Sequence, residues 1–470
     1  MGAGGPIRDG RRCRRGGAAA AARHRVLPAR EGARIVGERV RRETLCGDEV
    51  RTARLECGAA LVAVAKPGFV RSHAAVAARY GSFDRTFRLP GLPVRETPAG
   101  IAHFLEHALF EGRGGNALEL FSRRGSLINA ATSYRVTSYY FTAVADFMPQ
   151  LAMLLGFVRA PHFTDASVAK ERGIIGQEIG MYDDMPDDVR RRLLMGALFA
   201  RHPIGTHIAG TRASIEQVTP GLLDECFDAF YRPENMVLIA AGDLDFDAVR
   251  SAAENAFAAA PPRGSCAGAP APVFEDETGG AAERCVSRRM PVGCPKIAVG
   301  YKETRSAEEG AALLARECES DFLCEMMFGR GSSFFARLYE EGIIDESFHA
   351  HGAVFPRIGY VAAAADTPRP ADFIAAVEDA AARAADSLVE EDFARARRKF
   401  EGEMLRRCNS PESLAGMCLG AWVDGTGVVE SWDALRRVTL DDVRARARAV
   451  FAPEGRAVAA VLPHEWEGRL

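Results

Sequence analysis

The chain is 470 residues long, with 47% apolar and 26% charged residues and a formal net charge of −3. That balance belongs to a globular protein large enough for two cores, and it offers no bulk electrostatic attraction to nucleic acid or to a membrane surface. No run approaches the roughly 18 apolar residues of a spanning helix, and the 11 Cys, without a C-x-x-C pair, point to free thiols in a reducing, cytoplasmic setting rather than a disulfide framework.

In chain order, residues 1–42 are rich in Arg, Gly and Ala, lack the apolar segment of a secretory signal, and read as a disordered or non-native extension. Mixed helix and strand patterns begin at about residue 43. "GAALVAVAKPG" and "SHAAVAARYGS" read as two strands around a turn at Pro67-Gly68, the stretch 98–110 as a helix, and a second helix follows near 116–125. "LINAATSYRVTSYYFTAV" is β-branched and aromatic, hence strand; helical patterns cover 146–159 and 165–199. "NMVLIAAGDL" closes the unit as a strand, with a helix to about 259. Residues 259–284 are rich in Pro, Gly and Ala, as a linker is. A similar order then recurs: strand "PKIAVGYKE", helix from 307, strands around 346–366, helices 370–385 and 390–408, and strand "RAVAAVLP". The expected organisation is therefore two duplicated domains, 43–258 and 285–470, on either side of the linker.

The stretch "HFLEHALFEG", residues 103–112, encloses a glutamate between two histidines. On a helix His103, Glu106 and His107 fall within an arc of roughly 100°, a face that can grip a metal. A catalytic zinc wants three protein ligands and one open position for water, so a further carboxylate must come from another element. "KERGIIGQEIGMYDD" offers Glu171 and Glu178, seven apart and on one helix face. One can reach the metal while the other supports a ligand histidine. "GRGSS" at 329–333 lacks the Lys-Ser/Thr of a phosphate-binding loop.

With this inverted zinc motif, and with "SLINAATSYRVTSYYFTA", "ERGIIGQEIGMYDD", "HPIGTHIAGTRASIEQVT" and "FYRPENMVLIAAGDL" in order, most of residues 45–465 resembles the pitrilysin/insulinase family of zinc metallopeptidases. The resemblance implies an α+β fold of two homologous domains, each a mostly antiparallel sheet packed with helices, as in the mitochondrial processing peptidases. It implies Zn2+ held by His103, His107 and Glu178, with Glu171 behind a ligand histidine and Glu106 as the general base for a water that the zinc activates. Asn129 and Ala130 would lie on the edge strand against which an extended peptide is laid. No serine or cysteine nucleophile is required.

One departure stands out. Many members carry L-R-E-x-x-G-L-x-Y in the second half; here the stretch reads "LYEEGIIDESF", residues 338–348, with Tyr339 where Arg would stand and no Tyr at the later place. Because the chain also resembles half of the family's clamshell, a dimer is expected, as a homodimer or with a related subunit that donates the absent pair. Two functions follow: a zinc endopeptidase acting on peptides or on a leader segment, or a zinc-binding processing or scaffold subunit with little activity alone. Neither nucleic acid nor membrane is an expected partner.

Overall fold

The computed structural model describes residues 24–26, 40–112, 115–259, 268–275, 277, 279–304 and 309–470. Strands Ala60–Ala65, Ser72–Ala78 and Met236–Gly242 are almost wholly buried, and such continuous apolar runs belong at a sheet's centre, covered on both faces. From one edge the first sheet runs Leu127–Thr132, Thr137–Ala143, Ser72–Ala78, Met236–Gly242, Ala60–Ala65, Asp48–Arg54 and Arg41–Leu45. The two strands expected around Pro67-Gly68 both form, yet they are not paired with each other. Met236–Gly242 sits between them, parallel to Ala60–Ala65 and antiparallel to Ser72–Ala78. The run 127–144 is a hairpin rather than one strand, because the chain turns where Ser133 N–H donates to Val136 O at 2.8 Å. Likewise 165–199 is two helices, Asp165–Asp183 and Pro186–Leu198, since Pro186 can open a helix but not continue one.

Ordered strand begins before residue 43. Arg41 and Arg42 already pair with Thr52 and Arg51, and His24–Val26 pairs with residues 273–275. The expected linker likewise carries a strand, Ala271–Glu275, which also pairs with Thr86–Arg88 because Val273 and Phe274 bury their side chains. The rest of the expected extension, residues 1–23 and 27–39, and residues 260–267 of the linker lie outside the described residues.

The second sheet runs Cys285–Arg289, Arg456–Leu462, Lys296–Thr304, Ile358–Asp366 and His349–Phe355. This is the first sheet without its two outermost strands. Each has an outer hairpin beside the strand that precedes it in sequence, then the half's last strand, then a parallel partner. The duplication is thus written in the topology.

One face of each sheet is covered by helices of its own half: Ile101–Leu109, Phe147–Arg159 and Pro220–Phe230 in the first, Ala311–Phe328, Pro370–Ser387 and Leu440–Val450 in the second. The other face is covered by exchange. Pro411–Val423, from the second half, lays Leu414, Ala415, Cys418 and Trp422 on Val62, Val64, Val237 and Ile239 of the first sheet. Pro186–Leu198, from the first half, lays Leu194, Met195 and Leu198 on Ala298, Ala362, Ala364 and Ala459 of the second. At roughly 1.5–3 kcal/mol for each large apolar side chain buried, this exchange ties the halves into one cooperative body.

Candidate metal centre

The helix that carries the motif, Ile101–Leu109, starts from Gly100 with φ 90°. A Cβ on Gly100 would stand 2.4 Å from Ala209 O, and one on Gly210, itself at φ 75°, 2.3 Å from Ala99 O. Only glycine meets both demands, so the pair lets the segment around 207–214 lock against the start of the helix. Ser214 Oγ donates to Ala99 O at 2.7 Å and closes the lock. Ile101, Phe104, Leu105 and Leu109 turn into the core, which leaves His103 and His107 on the remaining face. Their ring centroids are 4.6 Å apart.

Opposite them lies Asp165–Asp183, begun by Thr164, whose side chain accepts from Ser167 N–H at 3.1 Å. Helix spacing leaves the roles of its two glutamates open, the family resemblance implies Glu178 as ligand with Glu171 behind a histidine, and the geometry sets the two apart as follows. Glu178 places Oε1 3.6 Å from His103 Nε2 and Oε2 3.5 Å from His107 Nε2. Glu171, buried, stands behind His107, with Oε2 3.3 Å from Nδ1. Tyr182, one turn beyond Glu178, donates its hydroxyl to Glu178 Oε1 at 3.0 Å. Glu106, also buried, accepts from Thr132 Oγ1, on the edge strand of the first sheet.

The electrostatics follow from these contacts. Burial, then the neighbouring His107, pushes His103 down to about 4, so it is neutral. Burial also opposes charge on His107, but the carboxylates of Glu171 and Glu178 outweigh it and hold the ring up to about 9. Glu178 is drawn down to about 2, chiefly by its hydrogen bond with His107. Burial raises Glu106 against the opposing Thr132 bond, which moves a carboxylate toward the range useful to a base near neutrality.

These donors suit zinc. Bonds of about 2.0–2.1 Å in a tetrahedron put ligand atoms roughly 3.3–3.4 Å apart, close to the separations present, and one donor atom from each of His103, His107 and Glu178 lies within 4.8 Å of the others. His103 Nδ1 is buried without a hydrogen-bond partner among the described residues, so that ring's directed contact is through Nε2, toward Glu178. A divalent cation would replace the His107 proton between the three groups.

Asn129 and Ala130 lie on the edge strand Leu127–Thr132, where Ala130 N–H donates to Asn129 Oδ1 at 2.8 Å. Tyr339 is on Ser333–Glu340 in the second half, exposed and stacked on Phe335. Three neighbours of the site are not foreseen from the sequence: Thr132, Tyr182 and His207. Tyr182 is four residues past Glu178 and could have been found by helix spacing. His207 could not; its ring lies 4.7 Å from Tyr182, with Nδ1 accepting from Ala209 N–H and Nε2 3.6 Å from Asp188.

Residues 94–212 match the family described as insulinase (peptidase family M16), and residues 217–400 match the peptidase M16 inactive domain. The chain is 35% identical over 402 residues to the uncharacterized zinc protease YmfH of Bacillus subtilis, spanning 85% of this chain and 93% of that one. A crystal structure of an M16-like peptidase from Alicyclobacillus acidocaldarius, 32% identical, superposes with a TM-score of 0.84 over 90% of this chain and 99% of that one. A stretch of 163 residues is 33% identical to the probable mitochondrial-processing peptidase subunit beta of Schizosaccharomyces pombe, covering 34% of this chain and 36% of that one.

Proposed function

The chain belongs to the insulinase family, peptidase family M16, and we propose that it is a zinc-dependent endopeptidase. The observation that carries this reading is the convergence of His103 Nε2, His107 Nε2 and the Glu178 carboxylate beside the buried Glu106, which Thr132 holds by a hydrogen bond. His103, His107 and Glu178 would hold the zinc, and Glu171 would keep the His107 ring in its ligating orientation. Zinc bound there supplies Lewis-acid stabilisation of negative charge and lowers the pKa of water. Glu106 takes the proton of the attacking water on a carboxylate oxygen and returns it to the leaving amine nitrogen, while Thr132 fixes the carboxylate through Oε2. The edge strand, with Asn129 and Ala130, pairs with the backbone of an extended peptide, which makes recognition there indifferent to side chains.

The test is to measure zinc content and peptide hydrolysis for the chain and for Glu106→Gln. The reading expects the variant to keep its zinc and lose hydrolysis by about 100-fold or more; hydrolysis that survives Glu106→Gln overturns it. A second reading, a zinc-binding subunit with little activity alone, is favoured by Tyr339 standing where many members carry Arg, and by a relative that is itself named a subunit. Under it a related partner chain completes the site, and activity rises when that partner is added. Among the described residues no helix is long and apolar enough to cross a membrane. The free state of the described cysteines supports a reducing compartment such as the cytoplasm.

A further inference from the structure

We propose that a cavity of about 800 Å³ beside the edge strand Leu127–Thr132 is a subsite for side chains of the bound peptide, favouring large apolar or aromatic residues over acidic ones. The proposal rests on the peptidase reading above and adds selectivity that backbone pairing cannot supply.

Strand alternation connects the cavity to the metal centre. Ile128 and Ala130 turn into the core under the motif helix, and Thr132 reaches Glu106. The intervening Leu127 and Asn129 face the opposite side and line the cavity. A peptide added at this edge alternates in the same way, so every second side chain falls on the cavity's side. At about 3.3 Å per residue, Asn129 and Leu127 lie roughly 10 and 16 Å from Thr132, which places the subsite about three to five residues from the bond opposite Glu106.

The lining decides what fits. The exchanged helix Pro411–Val423 covers the central strands but leaves the outer hairpin open, so Tyr140 and Thr142 form the floor with His73, and Leu419 the far wall. His73 is buried and commits Nδ1 to Thr142 Oγ1 at 2.9 Å; burial pushes it down to about 4, so it brings no positive charge. The carboxylate of Glu412 stands at the wall, held ionised against burial by Ser410 and Arg71. A carboxylate entering this space is desolvated beside Glu412, whose neighbouring cation Arg71 is already committed to it, whereas an aromatic ring has no charge to desolvate. Leu127 at the rim is 80% exposed, an apolar surface with no cover of its own. Gly416, in mid-helix on the wall, keeps the space open: a Cβ there would meet nothing within 4 Å, although alanine in a helix interior is favoured over glycine by about 1 kcal/mol.

The experiment uses the full chain carrying Glu106→Gln, with short fluorescein-labelled peptides in which one position at a time is Phe or Asp, read by fluorescence anisotropy. Phe should bind about tenfold more tightly than Asp at one position, or at two positions two residues apart, and nowhere else. Gly416→Phe, which fills the cavity, should abolish that preference, and Gly416→Ala should keep it. Ser122→Trp, from the exposed opposite wall, provides a second filling variant should Gly416→Phe fail to fold. Peptide binding without positional preference, or a preference that survives filling, overturns the subsite and leaves the peptidase reading standing. Absence of any peptide binding overturns both.

Discussion

The two halves place the same pair of helices against the same kind of sheet and use the contact for different ends. Asp165–Asp183 and Glu390–Cys408 are both 19 residues long, and the exchanged helices that follow, from Pro186 and from Pro411, are both 13. In that register Glu403 stands for Glu178 and Ala396 for Glu171. On the second-half helix Ala311–Phe328 it is Asp321 and Glu325 that face Glu390–Cys408: desolvation and then the nearby Glu403 raise Asp321 to about 6, and Glu325 accepts from Lys399 Nζ at 2.6 Å and from Arg395 Nη1 at 3.2 Å. In the second half that helix-to-helix contact is thus closed by ion pairs within the protein. Elsewhere on that helix, where it meets Leu440–Val450, buried Glu303 accepts from Arg316 at 2.8 Å and from Arg446, while Arg446 Nε donates to Ser320 Oγ at 2.8 Å and Ser320 Oγ donates to Arg316 O. In the first half the corresponding helix face presents imidazole and carboxylate donors to one another. A duplicated frame thus satisfies its polar groups internally in one copy and leaves them for a ligand in the other.

The largest effect expected of this contrast is on metal. His103→Ala, His107→Ala and Glu178→Ala should each abolish stoichiometric zinc by elemental analysis, while Glu403→Ala should retain it. Full zinc in His107→Ala would remove these ligands from the account, and loss in Glu403→Ala would break the asymmetry between the halves.

Stability should show the opposite bias. Removing one partner of a buried, hydrogen-bonded charge network costs about 3–5 kcal/mol, so Glu303→Gln should lower denaturant stability by that order. His103→Gln, measured on metal-free protein, should change it by less than about 1 kcal/mol, because Nδ1 has no partner and Nε2, 3.6 Å from Glu178, stands beyond hydrogen-bond distance. A reversed order would mean that the first-half site is structural.

A smaller effect is expected from Tyr182→Phe, which removes the hydroxyl from Glu178 but no ligand. Zinc affinity should fall about tenfold, as for other groups that orient a ligand; unchanged affinity in competition with a chelator would show that Glu178 is positioned without it.

The smallest concerns pH. Burial, then the neighbouring Asp424, raises Glu317, on the second-half counterpart of the motif helix, to about 8. Between about 4.5 and about 8 the folded chain keeps a proton that the unfolded chain releases, so this group's contribution to stability falls as pH rises through that window. Glu317→Gln should therefore raise the melting temperature by a few degrees at pH 8 and leave it unchanged at pH 4. Equal shifts at both would mean that the site is not protonated in the folded state.

The sequence by itself determined what depends on local spacing. The 3.6-residue period puts His103, Glu106 and His107 on one face and Glu171 and Glu178 on another, and continuous apolar runs mark the central strands wherever they pair. Together with the blocks shared with a known family, this was enough for the fold class and the candidate ligands. Three things lay beyond local spacing and were decided by the tertiary structure. Met236–Gly242 enters between two strands that are adjacent in sequence, because edge matching among buried strands is not encoded in any one of them. Pro186–Leu198 and Pro411–Val423 cover each other's sheets, since an apolar stripe specifies that it must be buried but not against which partner. And Glu178 rather than Glu171 faces both Nε2 atoms, a choice that periodicity treats as equal and only the family resemblance implied, and that is set physically by the angle between two helices whose facing residues lie 64 or more apart along the chain.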